Sequence, residues 1–236
     1  MLLFVALHLL LLQGEQAPSN AAEWKRLGLA LASEKKLVAA VGPLAKACEL
    51  DPKDEEACYY FARTLHALGR WDEARAPFEK ALRAAPQQML ARIHRAVALN
   101  FMALGRTVEA EQNFKAAIAM RKDAESLPED PRVDYGAFLF RQGRTDEALQ
   151  LLRETVRAAP KSARAHAELG RVLLHSGKPD AAVESLEKAI ELDPRIPSIR
   201  LLLGRAYLQM GRVDEGQRQL QLANKDLREN TSPTVR

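Results

Sequence analysis

The chain has 236 residues, of which 47% are hydrophobic and 28% are charged, and its formal net charge is +4. This balance excludes an intrinsically disordered polymer, because such chains combine low hydrophobicity with a high net charge. A charge of +4 is also too mild for this length to indicate nucleic-acid binding by itself. Ala, Leu, Arg and Glu dominate the composition, which favours helices.

The amino terminus differs from everything that follows it. Residues 1–12 read MLLFVALHLLLL and are apolar apart from His8. The run is shorter than the roughly 20 residues that span a bilayer, and its length matches the apolar core of a signal peptide. We therefore predict a signal peptide or short hydrophobic leader over residues 1–20 and an exported, periplasmic or secreted protein. The alternatives are an uncleaved membrane anchor and an upstream start-site artefact, which would make the protein membrane-anchored or cytoplasmic.

From residue 21 onward one pattern of two helices is repeated. In Ala163–Pro194, apolar residues recur at helical spacing, stop at Gly177 and resume until the final proline. Equivalent starting points are separated by 34, 36, 38, 34 and 34 residues. The predicted repeats are 21–54, 55–88, 91–124, 129–162, 163–196 and 197–230, and residues 231–236 are predicted to be a disordered tail.

When the repeats are aligned, equivalent positions carry residues of the same size, which helix packing explains. Each first helix carries a large residue followed by a small one, as in Leu169-Gly170, and each second helix carries a small residue such as Ala182. Small side chains are expected where two helix axes cross closely. Glycines are predicted to end five of the first helices in the left-handed conformation, and Lys35 stands at that position in the first repeat. These glycines are Gly69, Gly105, Gly143, Gly177 and Gly211.

Acidic residues follow these glycines and are predicted to cap the second helices. They are Asp72, Asp146, Asp180 and Asp214.

This pattern resembles the tetratricopeptide repeat family over residues 21 to about 230, and Trp24-x-x-Leu27-Gly28 reproduces the opening motif of that family. The resemblance implies an all-α fold, a right-handed superhelical α-solenoid of antiparallel helix pairs, with the first helices lining a concave groove. Lys122 replaces the proline that closes most repeats, so we expect the second helix of the third repeat to continue toward Leu127. The last helix is polar on much of its surface, as a terminal cap requires.

No catalytic or metal-binding constellation is present in the sequence. None of the five histidines forms an i, i+4 ligand pair, and neither a glycine-rich phosphate loop nor a Gly-x-Ser-x-Gly motif occurs. We therefore predict a protein that is not an enzyme and has no metal and no cofactor. Cys48 and Cys58 flank one inter-helix turn and are interpreted as two small buried thiols, with a disulfide as the alternative if the protein is exported.

The resemblance also assigns groove-facing positions on each first helix. The candidate partner-binding residues are Lys25, Tyr59, Arg63, His66, Arg92, Arg95, Met102, Phe140, Arg164, Arg171 and Arg205. Most are basic, and acidic residues at such positions are few, so the hypothesis is a protein or peptide partner of acidic character. The alternative is that these arginines are solvated helix formers that pair with Glu on neighbouring helices.

The sequence thus favours a non-enzymatic scaffold or adaptor that binds a partner protein in the groove, acting in the assembly of an envelope complex. Two alternatives stay open, namely a self-associating structural subunit and an accessory subunit of an enzyme or an enzyme with an unrecognised site. RNA binding is least favoured, because the charge is modest and the groove has few aromatic residues for base stacking. Membrane association is expected only through the amino-terminal apolar segment.

Overall fold

The computed structural model describes residues 18–121, 129–194 and 197–231, and within those ranges the chain forms twelve α-helices and no β-strand. The predicted all-α fold of helix pairs is confirmed. Residues 1–17 of the predicted leader and 232–236 of the predicted tail lie outside the described ranges. The helices are α1 (Ala21–Ser33), α2 (Leu37–Leu50), α3 (Glu55–Ala67), α4 (Trp71–Ala84), α5 (Gln87–Ala103), α6 (Thr107–Ala119), α7 (Pro131–Arg141), α8 (Thr145–Ala158), α9 (Ala163–His175), α10 (Pro179–Leu192), α11 (Pro197–Gln209) and α12 (Val213–Thr231).

The chain divides into two compact units, residues 1–122 and 123–236. In unit 1, each of the helices α1 to α5 packs against the next one along the chain, and the first helix α3 also contacts the first helices α1 and α5. Unit 2 repeats this arrangement with α7 to α12, in which α7, α9 and α11 are the first helices. None of the described helices is both long enough and apolar enough to cross a lipid bilayer.

The turns inside the helix pairs follow the glycine prediction. Gly69 adopts φ 72° and Gly177 φ 70°, the left-handed region that a glycine enters without steric penalty. Lys35 adopts φ 61° and makes the same turn in the first pair, where the Lys36 amide donates to the Leu31 carbonyl at 2.9 Å. The first pair therefore has the same left-handed turn as the others, although Lys35 is strained in that conformation.

The small residues in the first helices allow close helix crossings. A Cβ atom added to Gly28 would lie 2.5 Å from Cγ of Leu44, and one added to Gly170 would lie 2.6 Å from Cγ of Leu186. On the opposing helices, Ala40 and Ala182 are completely buried. The small and large residues that recur in the aligned repeats thus lie at the contacts between the two helices of a pair.

The prediction that aspartates cap the second helices is wrong. Asp72, Asp146, Asp180 and Asp214 lie inside those helices, in the first turn. Arg70 occupies the capping position of α4 without a side-chain hydrogen bond, and its amide instead donates to the Leu65 carbonyl. The aspartates therefore act on the positive end of the helix dipole. Side-chain caps occur on first helices instead, at Asn20, Asp54, Asp130 and Ser162.

Helix α6 ends at Ala119, so the prediction that it continues toward Leu127 is wrong. The amide of Arg121 bonds to the carbonyl of Ile118, three residues back, which tightens the last turn and ends the α-helical ladder. Residues 122–128 lie outside the described ranges.

Cys48 and Cys58 form a disulfide, so their interpretation as two separate thiols is wrong. The short turn after α2 brings the two Cα atoms to 4.7 Å, within the range that a disulfide can bridge. The bond joins α2 to α3 and hence the first repeat to the second. Both residues are buried, with exposures of 2% and 0%.

Candidate functional site

Two tyrosines and two arginines form a cluster on the first helices α3 and α5 of unit 1. Nε of Arg92 donates to the Tyr59 hydroxyl at 3.2 Å, and its Nη2 donates to the Tyr60 hydroxyl at 3.1 Å. Cζ of Arg92 lies 4.9 Å from the centroid of the Tyr59 ring, and Cζ of Arg63 lies 5.5 Å from the same centroid. The two guanidinium groups are therefore held by the same pair of aromatic rings. We call these four residues the Tyr–Arg cluster.

The charges of the Tyr–Arg cluster come from Arg63 and Arg92. Neither Arg63 nor Arg92 has an acidic partner among the residues that the structure describes. Burial by itself would lower the pKa of Arg92, but the phenolic oxygens of Tyr59 and Tyr60 outweigh it and raise that pKa. The guanidinium keeps its charge, and only part of its N–H groups are used by the two hydroxyls.

Tyr59 is 1% exposed, so its ring contacts the arginines from the protein interior and offers almost no surface to a partner. Tyr59 is therefore not expected to touch a partner, in contrast to its assignment from the sequence. Tyr60, which the sequence reasoning did not select, is half-buried and presents its hydroxyl to Arg92. The only signal for it in the sequence was its place beside Tyr59.

Three other predicted groove cations are paired within the protein. Nζ of Lys25 lies 2.8 Å from a carboxylate oxygen of Asp54 and 3.2 Å from one of Glu56. Arg164 pairs with Asp134 of the preceding first helix, and Arg171 pairs with Glu168 of its own helix. Burial lowers the pKa of Lys25, but the hydrogen bonds to Asp54 and Glu56 raise it further, so the net shift is upward.

The remaining predicted residues do not form one site. His66 shares a 3.0 Å hydrogen bond between its Nδ1 and Oδ1 of the buried Asn100. In unit 2, Arg171 lies over the ring of Phe140, with Cζ 5.1 Å from the centroid. Arg205 is exposed on α11.

Arg95 and Met102 are half-buried on α5. Within the described part of the chain, no three His, Cys, Asp or Glu side chains are grouped so that they could hold a metal ion.

Family models match most of the sequence. One model described as tetratricopeptide repeat matches residues 59–126 and 139–195, and a second with the same description matches 173–232. A model described as anaphase-promoting complex, cyclosome, subunit 3 matches residues 3–81. No curated protein matches the sequence significantly.

Solved structures of repeat proteins are similar to this chain. PilF of Pseudomonas aeruginosa is 25% identical, with a TM-score of 0.63 over 75% of this chain and 78% of its own. PilW, described as a widely conserved type IV pilus biogenesis factor, is 21% identical, with a TM-score of 0.71 over 86% of this chain and 91% of its own. YrrB, described as a TPR protein with an unusual peptide-binding site, is 25% identical, with a TM-score of 0.52 over 74% and 87%.

Proposed function

The chain belongs to the tetratricopeptide repeat family, and from this premise we propose that it is a non-enzymatic adaptor that binds an acidic protein or peptide at the Tyr–Arg cluster. The family fold is a scaffold for protein–protein interactions, because stacked helix pairs present extended preformed surfaces. The acidic character of the partner and the anchoring residues are inferred from the geometry of unit 1.

The observation that carries the proposal is that the guanidinium groups of Arg63 and Arg92 lie together and contact tyrosines, with no carboxylate partner in the described part of the chain. In unit 2 the cations of Arg164 and Arg171 are already paired with carboxylates, and in unit 1 the same is true of Lys25. A guanidinium can bind a carboxylate through two parallel hydrogen bonds, which is the strong form of this interaction. The Tyr–Arg cluster thus brings two such guanidinium groups together in the predicted groove, where they suit an acidic side chain or a chain terminus.

The tyrosine rings also favour binding by holding the two arginines in place. Stacking on Tyr59 and Tyr60 restricts the rotamers of both arginines before any partner arrives, so less side-chain entropy is lost on binding. The description of YrrB as a protein with a peptide-binding site supports a peptide as the class of ligand.

We also propose that the protein is exported and acts in the assembly of a complex in the cell envelope. The apolar run over residues 1–12 and the disulfide between Cys48 and Cys58 both support export, because disulfides persist in oxidising compartments. Sequencing the amino terminus of the mature protein tests export directly. An intact terminus together with reduced cysteines in protein taken from the cell would contradict it.

The binding proposal is tested with a peptide array that contains acidic, neutral and basic peptides. The wild-type protein is expected to retain acidic peptides, and the variant Arg63→Glu/Arg92→Glu to lose them by at least about tenfold, as expected when close charge pairs are reversed. The matched control is Arg83→Glu/Arg218→Glu, which makes the same change in net charge at two exposed arginines of second helices.

Equal loss of binding in the control would show that net charge, and not the cluster, attracts the peptides. Undiminished retention by the cluster variant, with an unchanged circular dichroism spectrum, would refute the assignment of the site.

A further inference from the structure

A small pocket between α4, α5 and α6 of unit 1 contains no residue of the Tyr–Arg cluster. Its volume is about 120 Å³. The lining residues are Arg75, Phe78, Glu79, Leu82, Val97, Asn100, Phe101 and Asn113. Half of these side chains are apolar, and Arg75 adds a cation among them. We call it the Arg75 pocket.

The guanidinium group of Arg75 lacks an acceptor in this pocket. Its Nε is buried and has no hydrogen-bond partner among the described residues, and none of their carboxylates forms an ion pair with Arg75. Glu79 lines the pocket without pairing, and Glu109 is bound to Arg106, with 2.7 Å between Nε and Oε1. A buried donor without an acceptor costs free energy, because folding removes its water and puts nothing in its place.

Packing of the repeats does not require a cation at this position. The residues equivalent to Arg75 in the fourth and fifth repeats are Leu149 and Val183, and both are buried apolar side chains. An aliphatic residue therefore satisfies the position in the same fold, whereas Arg75 leaves a buried N–H group unpaired. Such departures from the packing pattern are expected at functional sites.

Two asparagines add hydrogen-bond donors to the pocket. Oδ1 of Asn100 accepts a hydrogen bond from Nδ1 of His66 at 3.0 Å, and Oδ1 of Asn113 accepts one from Nδ1 of His94 at 2.9 Å. Each amide nitrogen donates to one backbone carbonyl, which leaves one hydrogen on each amide for a ligand. The residue equivalent to Asn100 in the fifth repeat is Val172, so a second polar residue at this pocket replaces a buried apolar one.

These groups suit a small anion with one negative charge and an apolar part. A guanidinium binds a carboxylate through directed, charge-assisted hydrogen bonds. One cation matches one negative charge, and the carboxylate of Glu79 disfavours a dianion such as sulfate. The rings of Phe78 and Phe101 offer contacts to a methyl or methylene group. A pocket of this size holds a few water-sized groups, which matches acetate or propionate better than a longer chain.

We propose that the Arg75 pocket binds a short-chain carboxylate of the size of acetate or propionate. The carboxylate accepts hydrogen bonds from Arg75 and from the free amide hydrogens of Asn100 and Asn113, and the alkyl group lies against Phe78 and Phe101. The ligand supplies the acceptor that Nε of Arg75 lacks, so binding stabilises unit 1. This small-molecule site is separate from the surface proposed for the acidic partner.

The test is a titration with sodium acetate at constant ionic strength, which is maintained with sodium chloride. Proton–nitrogen NMR follows the Nε–H signals of individual arginines, and saturation transfer to the acetate methyl group measures the affinity. In the wild type, the Arg75 signal is expected to shift and to saturate at millimolar acetate. Because the signals of Arg63 and Arg92 are followed separately, acetate bound at the Tyr–Arg cluster is distinguished from acetate in the Arg75 pocket.

Arg75→Leu introduces the residue that the fourth repeat has at this position, so the variant is expected to fold and to unfold at no lower temperature than the wild type. Its affinity for acetate should fall by at least about tenfold, because the guanidinium is gone. Arg75→Gln keeps a polar side chain, should lose acetate in the same way, and gives a second variant if leucine disturbs the fold. The matched control is Arg83→Leu, which removes an exposed arginine of the same helix and should leave acetate binding unchanged.

Hexanoate and sulfate test the size and the charge of the ligand. Both are expected to bind the pocket at least about tenfold more weakly than acetate, because hexanoate exceeds the pocket and sulfate meets Glu79 with two charges. Equal binding of either one would overturn the assignment of the ligand class. The absence of a saturable shift of the Arg75 signal, which is the result if the pocket holds water alone, would overturn the site.

Discussion

Removal of the disulfide between Cys48 and Cys58 is expected to destabilise unit 1 selectively. The variant is Cys48→Ala/Cys58→Ala, which keeps small apolar side chains at two buried positions. The bond closes a loop with a sequence separation of 10, and the chain-entropy relation gives about 3 kcal/mol for a loop of this size. Because the bond ties α2 to α3, we expect the loss to be concentrated in the first two repeats.

The magnitude can be measured by urea unfolding followed by circular dichroism, with and without reductant. The wild type should lose about 3 kcal/mol of unfolding free energy in reductant, whereas the Ala variant should be insensitive to it. Reduction of the native protein should be slow, because Cys58 is completely buried and a thiol reaches it only after local opening.

Hydrogen exchange locates the effect. Amides of α1 to α3 should exchange faster in the variant, and those of α9 to α11 should be unchanged, because repeat arrays are stabilised by nearest-neighbour contacts. Equal unfolding midpoints in oxidised and reduced wild type would refute the reasoning. Uniform loss of protection in both units would refute its local part.

Three further predictions concern single positions. Gly170→Ala places a Cβ 2.6 Å from Cγ of Leu186 and should destabilise by about 1–3 kcal/mol in thermal unfolding; no change would contradict the close crossing. Lys35→Gly relieves φ 61° and should stabilise by about 0.5–1 kcal/mol, measured in the same way, and a lower melting temperature would contradict it. Burial, and then the hydrogen bond to Glu187, raise the pKa of Tyr207 to about 12. The resulting stability is present below pH about 10 and is lost as pH rises to about 12, so Tyr207→Phe should abolish that part of the alkaline loss in pH-dependent unfolding.

The local pattern of the sequence was enough to predict the helix pairs. Left-handed turns such as the one at Gly69 and close crossings such as those at Gly28 and Ala182 follow from steric rules that act within one repeat. Because each repeat contacts mainly its neighbours, a correct repeat register implies most of the packing. The predictions that failed at this level concerned helix ends: Asp72 lies inside the first turn of α4 rather than at its cap, and α6 ends at Ala119.

The pairing of charges required the tertiary structure. Lys25, Arg63 and Arg92 are equivalent candidates in the sequence, yet Lys25 is neutralised by two carboxylates and the other two are supported by tyrosines. The partners of Lys25 and Arg92 lie about one repeat away along the chain, whereas Arg63 stacks on Tyr59 of its own helix. Ion pairs form only within a few ångströms, so side-chain reach and direction decide which groups meet. The disulfide also required the tertiary structure. The sequence places its two cysteines on either side of a turn, but it does not give the distance of 4.7 Å between their Cα atoms.

The sequence by itself therefore determined the family and the all-α repeat fold, because these depend on periodicity and residue size. Only the tertiary structure decided which groove cations pair with carboxylates and that the cysteines are bonded. Electrostatic and covalent pairing depend on the distances and directions of individual side chains, and folding sets both.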